Sequence, residues 1–107
     1  MNVLIGDIGN TNTKICIIDS RTYKIKKIIY LNSSEIVNKK SLKTKLSKVI
    51  KKNYINKVAL FSSVVPKYEK IISNHINKYY KIKFKEIKDK SIVKIVKINI
   101  KEPKQVG

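Results

Sequence analysis

Two apolar runs near the amino terminus, Val3 to Gly6 and Ile15 to Ile18, enclose the polar-rich stretch Asp7-Ile8-Gly9-Asn10-Thr11-Asn12-Thr13-Lys14, which commits this part of the chain to a β-hairpin. Residues 2 to 8 and 13 to 19 read as the paired antiparallel strands. Asn and Gly favour such a bend for conformational reasons alone. The same residues also suit phosphate. Gly9 permits close backbone approach and tolerates positive φ, and successive N–H groups in a tight turn form an anion-binding concavity. The hydroxyls of Thr11 and Thr13 and the amides of Asn10 and Asn12 add donors, and Lys14 adds a full positive charge. Asp7, at the end of the first strand, suits a hydrated Mg²⁺, which prefers carboxylate and water oxygens while bridging phosphates. The stretch is not a Walker A loop, which needs Gly-x-x-x-x-Gly-Lys-[Ser/Thr] opening into a helix. On these residues alone, a plain turn and a phosphate loop are both open.

Asp19 to Thr22 reads as a turn into a third strand over Tyr23 to Leu31, where Lys26-Lys27 before Ile28-Ile29 breaks the period of two and suggests a bulge or bend. Ser33 or Ser34 suits a helix cap, with Glu35 in the first turn. Leu42, Leu46, Val49 and Ile50 then predict one amphipathic helix over about residues 34 to 52. Lys57 to Ser62 is a nearly continuous apolar run, as expected of a central strand in a parallel arrangement. Pro66 opens a second helix, in which Tyr68, Ile71, Ile72, His75, Ile76 and Tyr79 recur at three- and four-residue steps. His75 lies on that apolar stripe and reads as a packed histidine with one hydrogen-bond partner. Two further strand-like runs, Tyr80 to Ile87 and Ile92 to Ile100, are separated by Asp89-Lys90-Ser91.

The succession Asp7-x-Gly9-Asn10-Thr11-x-x-Lys14, Phe61-Ser62-Ser63-Val64-Val65-Pro66 and Pro103-Lys104-Gln105-Val106-Gly107 resembles the type III pantothenate kinases, of the acetate and sugar kinase, Hsp70 and actin superfamily, across essentially all 107 residues. The resemblance implies an α/β, ribonuclease H-like (actin-like ATPase) domain over residues 1 to 107. Its mixed five-stranded sheet would carry helices in the order β-β-β-α-β-α-β, with strand 1 beside the buried fourth strand. It implies ATP-dependent phosphorylation of pantothenate in coenzyme A synthesis, with Asp7 organising Mg²⁺ through water and Asp7, Ile8, Gly9, Asn10, Thr11, Asn12, Thr13 and Lys14 forming the ATP phosphate-binding segment. Gly107 would border the pantothenate site. A monovalent cation, K⁺ or NH₄⁺, and a homodimer are likewise implied. In the family this last motif runs on into Asp-Arg, whose Asp is the proposed general base, and a second phosphate hairpin and adenosine-binding glycines follow. The expectation is therefore the amino-terminal part of a two-domain kinase, catalytically incomplete alone. Glu102 and Gln105 stand where the family usually shows Asn and Glu, and Ile100 where many members have a substrate-contacting Tyr, so no role passes to Ile100.

A chain of 107 residues, 42% apolar, suffices for one domain, and a domain of this size buries about 65% of the surface its unfolded chain exposes. The formal charge of +18 would ordinarily point to nucleic acid or an anionic membrane. Of the 25 basic residues, however, 24 are Lys and only Arg21 is Arg, and they spread over nearly every segment. Specific nucleic-acid contacts lean on the arginine fork. Lys, Ile and Asn together make 54 of 107 residues, the mark of an AT-rich genome. No apolar run approaches the ~18 residues that span a bilayer, and Met1-Asn2-Val3 offers no basic start to a secretory signal. The lone Cys16, between Ile15 and Ile17, reads as a small core residue in a reducing, cytoplasmic setting. The competing reading is a basic nucleic-acid-binding or transcription accessory protein on the same fold, and a sugar kinase is a third. Asp7 discriminates, since a carboxylate in the loop suits Mg²⁺-nucleotide and repels a nucleic-acid backbone.

Overall fold

A computed structural model describes residues 2–22, 24–50 and 56–87. The chain runs β1 (Asn2–Ile8), β2 (Asn12–Asp19), β3 (Ile25–Asn32), α1 (Ser33–Val37), α2 (Lys39–Ile50), β4 (Val58–Ser63), α3 (Pro66–Tyr80) and β5 (Lys83–Glu86). The strands form one sheet in the order β3-β2-β1-β4-β5. β1, β2 and β3 pair antiparallel, whereas β4 runs parallel to both β1 and β5. This mixed five-stranded sheet, with β1 beside an internal β4, is compatible with the expected ribonuclease H-like arrangement.

Alternation along the strands divides the apolar residues between two faces. On one face Leu4 and Ile8 of β1, Ile15 and Ile17 of β2 and Phe61 of β4 meet Ile36 of α1, Leu42, Leu46 and Val49 of α2, and Ile72 and Ile76 of α3. All three helices thus pack on one side. Each such Leu or Ile, fully enclosed, contributes about 1.5–3 kcal/mol of burial free energy. Gly6 and Phe61 are register partners on this face, and a Cβ at Gly6 would overlap the Cε2 and Cδ2 atoms of the Phe61 ring. Phe61 in turn stacks on Phe84, with centroids 4.7 Å apart. The opposite face buries Ile5, Cys16 and Ile18 against Val3, Ile25, Ile28, Leu60 and Ile87. Burial pushes the Cys16 thiol up to about 12, so it remains a neutral, apolar-like side chain, as its neighbours in the sequence suggest.

Several local expectations need correction. The helix expected over 34 to 52 is two helices, because Asn38 interrupts it in an extended conformation. The Asn38 Oδ1 accepts the Ser41 N–H at 3.0 Å, capping α2 where α1 ends. The first cap is Asn32 rather than Ser33 or Ser34: its side chain accepts the Glu35 N–H at 2.9 Å, and Glu35 Oε1 accepts the Asn32 N–H at 3.0 Å. The third strand starts at Ile25, since the Asp19 carboxylate accepts the Arg21 and Thr22 N–H groups and holds the preceding turn. Those two bonds keep the Asp19 carboxyl below its ordinary range. A register shift beside Ile17 and Ile18 leaves Lys26 as the extra residue of β3, the bulge that the broken alternation suggests.

Tyr80 ends α3 instead of opening a strand, so the strand expected over 80 to 87 is only Lys83–Glu86. Lys81 turns the chain in a left-handed conformation, φ 58°, donating its N–H to the Asn77 carbonyl, while Ile82 donates to Ile76. The Nε2 of His75 is buried without a hydrogen-bond partner among the described residues. The run Ile92 to Ile100 and the motif Pro103 to Gly107 lie outside the described residues.

Two stability outcomes follow from this packing. Lys81→Gly relieves a left-handed non-glycine residue and should raise the unfolding free energy by about 0.5–1 kcal/mol, measured by urea denaturation. Gly6→Ala should lower it by about 1–3 kcal/mol through overpacking against Phe61, and Phe61→Leu in the same chain should recover part of that loss. Simple additivity of the two substitutions would contradict the contact.

Candidate functional site

β1 and β4 run parallel, so their carboxyl ends open at one edge of the sheet, the side on which open α/β sheets bind ligands. Asp7 lies one residue before the end of β1. Its register partners are Lys14 on β2 and Ser62 on β4, and Lys14 in turn faces Tyr30 on β3. Cross-strand partners share a face. Tyr30, Lys14, Asp7 and Ser62 therefore form one polar row across the sheet, on the side away from the helices. Directly below it runs the apolar row Ile28, Cys16, Ile5 and Leu60. Asp7 and Lys14 are half-buried, and among the described residues they make no ion pair with one another.

The bend between β1 and β2 is the three residues Gly9, Asn10 and Thr11, drawn shut by the Gly9 N–H donating to the Asn12 carbonyl at 3.1 Å. No glycine among the described residues has positive φ. Glycine is required at position 9 by closeness instead, because a Cβ there would come within 2.9 Å of the Asn12 carbonyl oxygen. Asn10, Thr11 and Asn12 are exposed, whereas Thr13 and Ile8 point into the helix-covered core. The Thr13 hydroxyl is fully buried there with no partner among the described residues. The structure thus brings Asp7, Lys14 and the Gly9 to Asn12 backbone to one edge and turns the Thr13 side chain to the other face. Gly107 lies outside the described residues.

This bend is anchored from beneath by side chains that the motif alone does not reveal. Ser33 Oγ, at the start of α1, donates to the Asn10 carbonyl at 3.1 Å. The same helix end carries the Asn32–Glu35 capping box, and Glu35 Oε2 meets the Lys45 ammonium of α2 at 2.5 Å. Lys45 Nζ also donates to the Tyr30 carbonyl at 3.1 Å. The Lys45 hydrogen bond, followed by the Asn32 N–H, holds the Glu35 carboxyl below its usual range. On the other flank, Val64 donates its N–H to the Ile8 carbonyl at 3.1 Å, and Ser63 Oγ accepts the Val65 N–H at 3.2 Å. The turn after β4 is thereby fixed against the end of β1. Tyr30 belongs to no motif, and Ser62 and Ser33 enter the sequence reading only within the Phe61 to Pro66 stretch and as a cap candidate, with no role at the bend. The nearest sequence signal is Asn32-x-x-Glu35, which marks the helix start that places Ser33.

Among the described residues no three His, Cys, Asp or Glu side chains converge on a metal position. A single carboxylate beside an exposed turn is nevertheless the kind of donor that suits Mg²⁺, since that ion keeps several waters and takes few ligands from protein. No helix of the described residues is long and apolar enough to cross a membrane.

Residues 3–107 match the type III pantothenate kinase family. A curated relative, the type III pantothenate kinase of Pelagibacter ubique (strain HTCC1062), is 42% identical over 106 residues, 98% of this chain and 41% of that protein. The chain thus spans about two fifths of the length of the relative it matches. Among solved structures, the Aquifex aeolicus member of the Ppx/GppA family gives a TM-score of 0.40 at 12% identity, covering 81% of this chain and 35% of the other. That likeness is too loose to transfer residues or activity. On the match over nearly its whole length, this chain belongs to the type III pantothenate kinase family.

Proposed function

We propose that these 107 residues form the ATP phosphate-binding part of a pantothenate kinase, which transfers the γ-phosphoryl group of ATP to pantothenate in coenzyme A synthesis. The observation that carries this reading is the row Lys14, Asp7, Ser62 standing beside the closed Gly9–Asn12 turn at the carboxyl ends of two parallel strands. Phosphoryl transfer depends chiefly on positioning and on stabilising charge around the transferred group. The exposed bend offers backbone N–H groups and the side chains of Asn10, Thr11 and Asn12 to phosphate oxygens. Lys14 adds a compact positive charge on the β2 side. Asp7 would hold a hydrated Mg²⁺, which when bound would supply charge neutralisation at the phosphates. Thr13 supports this surface from below, filling the core under the bend.

The acceptor pantothenate, a monovalent cation and a homodimeric assembly belong to the same proposal through family membership, as do the general base and second phosphate hairpin of a two-domain kinase. A cytoplasmic setting fits that chemistry. The carboxylate at the centre of the row weighs against a nucleic-acid backbone as ligand.

The test is calorimetric titration with ATP, with and without Mg²⁺. Wild type should bind more tightly with Mg²⁺, and Asp7→Ala should lose at least about tenfold of that affinity. Identical binding by both proteins would refute the reading. Ser33→Ala, which keeps every phosphate-facing group, should speed amide exchange over residues 9 to 12 and weaken Mg²⁺-ATP binding, while costing no more than about 1.5 kcal/mol of stability. Unchanged exchange would remove Ser33 as a support of the bend.

A further inference from the structure

On the helix-covered side of the sheet, away from Asp7 and Lys14, α2 and α3 enclose a cleft of about 450 Å³. That volume lies within the range of small-molecule sites and exceeds what a lone phosphate ion would fill. Its α2 wall carries Lys39, Lys40 and Lys43, and its α3 wall carries His75, Lys78 and Tyr79. These sets recur at three- and four-residue steps, so each falls on a single helix face. Leu42 and Ile71 supply apolar surface between them, and no acidic side chain lines the cleft.

The charges here are concentrated rather than merely abundant. Lys43 Nζ from one helix and Lys78 Nζ from the other each stand 5.4 Å from the centroid of the same Tyr79 ring. Like charges gathered this way repel, and the ring face offsets only part of that cost. A bound anion would offset the rest. Beneath them the His75 ring packs 4.7 Å from Tyr79 and 6.2 Å from Tyr80. Burial first, and then the Lys43 charge, hold the His75 imidazole below its ordinary range.

We propose that the cleft between α2 and α3 is a second anion site, which takes an organic phosphate. The phosphate group is held by the Lys39, Lys40, Lys43 and Lys78 ammonium groups, and a planar or apolar body rests on Tyr79, Leu42 and Ile71. A concave site of this volume with lysines only suits a compact phosphate ester better than a nucleic-acid strand, which runs along an extended basic groove.

His75 is the chain's single histidine and therefore a built-in reporter. A phosphate dianion beside Lys43 offsets the repulsion acting on imidazolium, and its negative charge favours the protonated ring, so its arrival should raise the His75 pKa. The experiment is an NMR titration of the His75 imidazole in the full chain, with phenyl phosphate, inorganic phosphate, phenol and a single-stranded oligonucleotide as separate probes. Phenyl phosphate should give a saturable shift and an upward move of the His75 pKa, binding at least about tenfold more tightly than inorganic phosphate or phenol. The response should weaken by about the same factor in Lys43→Gln/Lys78→Gln and persist in Asp7→Asn, which separates this cleft from the hairpin. Two exposed lysines change in the double variant, and its far-ultraviolet circular dichroism should match wild type. Absence of a His75 response, equal binding of phenyl and inorganic phosphate, an unaltered response in the double variant, or tighter binding of the oligonucleotide would each overturn the proposal.

Discussion

The contact between Gly6 and Phe61 governs the position of everything at the functional edge. Parallel pairing of β1 with β4 brings residues far apart in the chain into register, and no tight turn exists to fix that register locally. What fixes it is packing: the Phe61 ring occupies the space over Gly6 and continues onto Phe84 of β5. A slip by one residue would turn Phe61 out of the helix-covered core and Ser62 into it. Because Asp7 follows Gly6 and Ser62 follows Phe61, the core contact dictates which polar residues meet on the other face. The site is a by-product of one aromatic ring seated on a missing side chain.

The sheet divides its labour between faces. One carries all three helices and most of the apolar side chains, and its tight packing makes the strands a rigid platform. The other carries a smaller apolar cluster topped by the polar row. A single bend thus joins both faces, with Thr13 buried under it and Asp7 and Lys14 presented beside it. The Lys45–Glu35–Asn32 linkage and Ser33 then tie the bend to α1 and α2, so the loop's geometry is set in part by helices that meet it at the Asn10 carbonyl.

Much of this is legible in the residues, and the rest is not for identifiable reasons. The hairpin is local, and its apolar flanks and polar centre specify it without reference to other segments. The β4 run and the α3 stripe are equally self-contained, as is the bulge at Lys26, where two adjacent lysines break the alternation. The break at Asn38 is missed because Leu42, Leu46, Val49 and Ile50 keep helical spacing beyond it, and a single polar residue on a helix surface looks ordinary. Its signal is the Asn38-x-x-Ser41 cap. The start of β5 is missed because Tyr80 and Ile82 alternate like a strand, whereas Tyr80 packs with the core at the end of α3. The membership of Ser62 and Tyr30 in the polar row follows from strand register, which is a property of the whole sheet. Family resemblance raises the expectation of a metal-organising Asp7 but says nothing of Ser33 or the α2–α3 cleft.

The bulge at Lys26 has a consequence for how copies of this chain coexist. β3 and β5 are the outermost strands of the described sheet, and an open strand edge is a template for pairing with a second molecule. β3 meets that hazard with a local kink and with exposed Lys26 and Lys27, and β5 is only four residues long, with exposed Lys83 and Lys85. In a chain rich in isoleucine, and so prone to sticking strand to strand, charge and brevity thereby guard both rims of the described sheet.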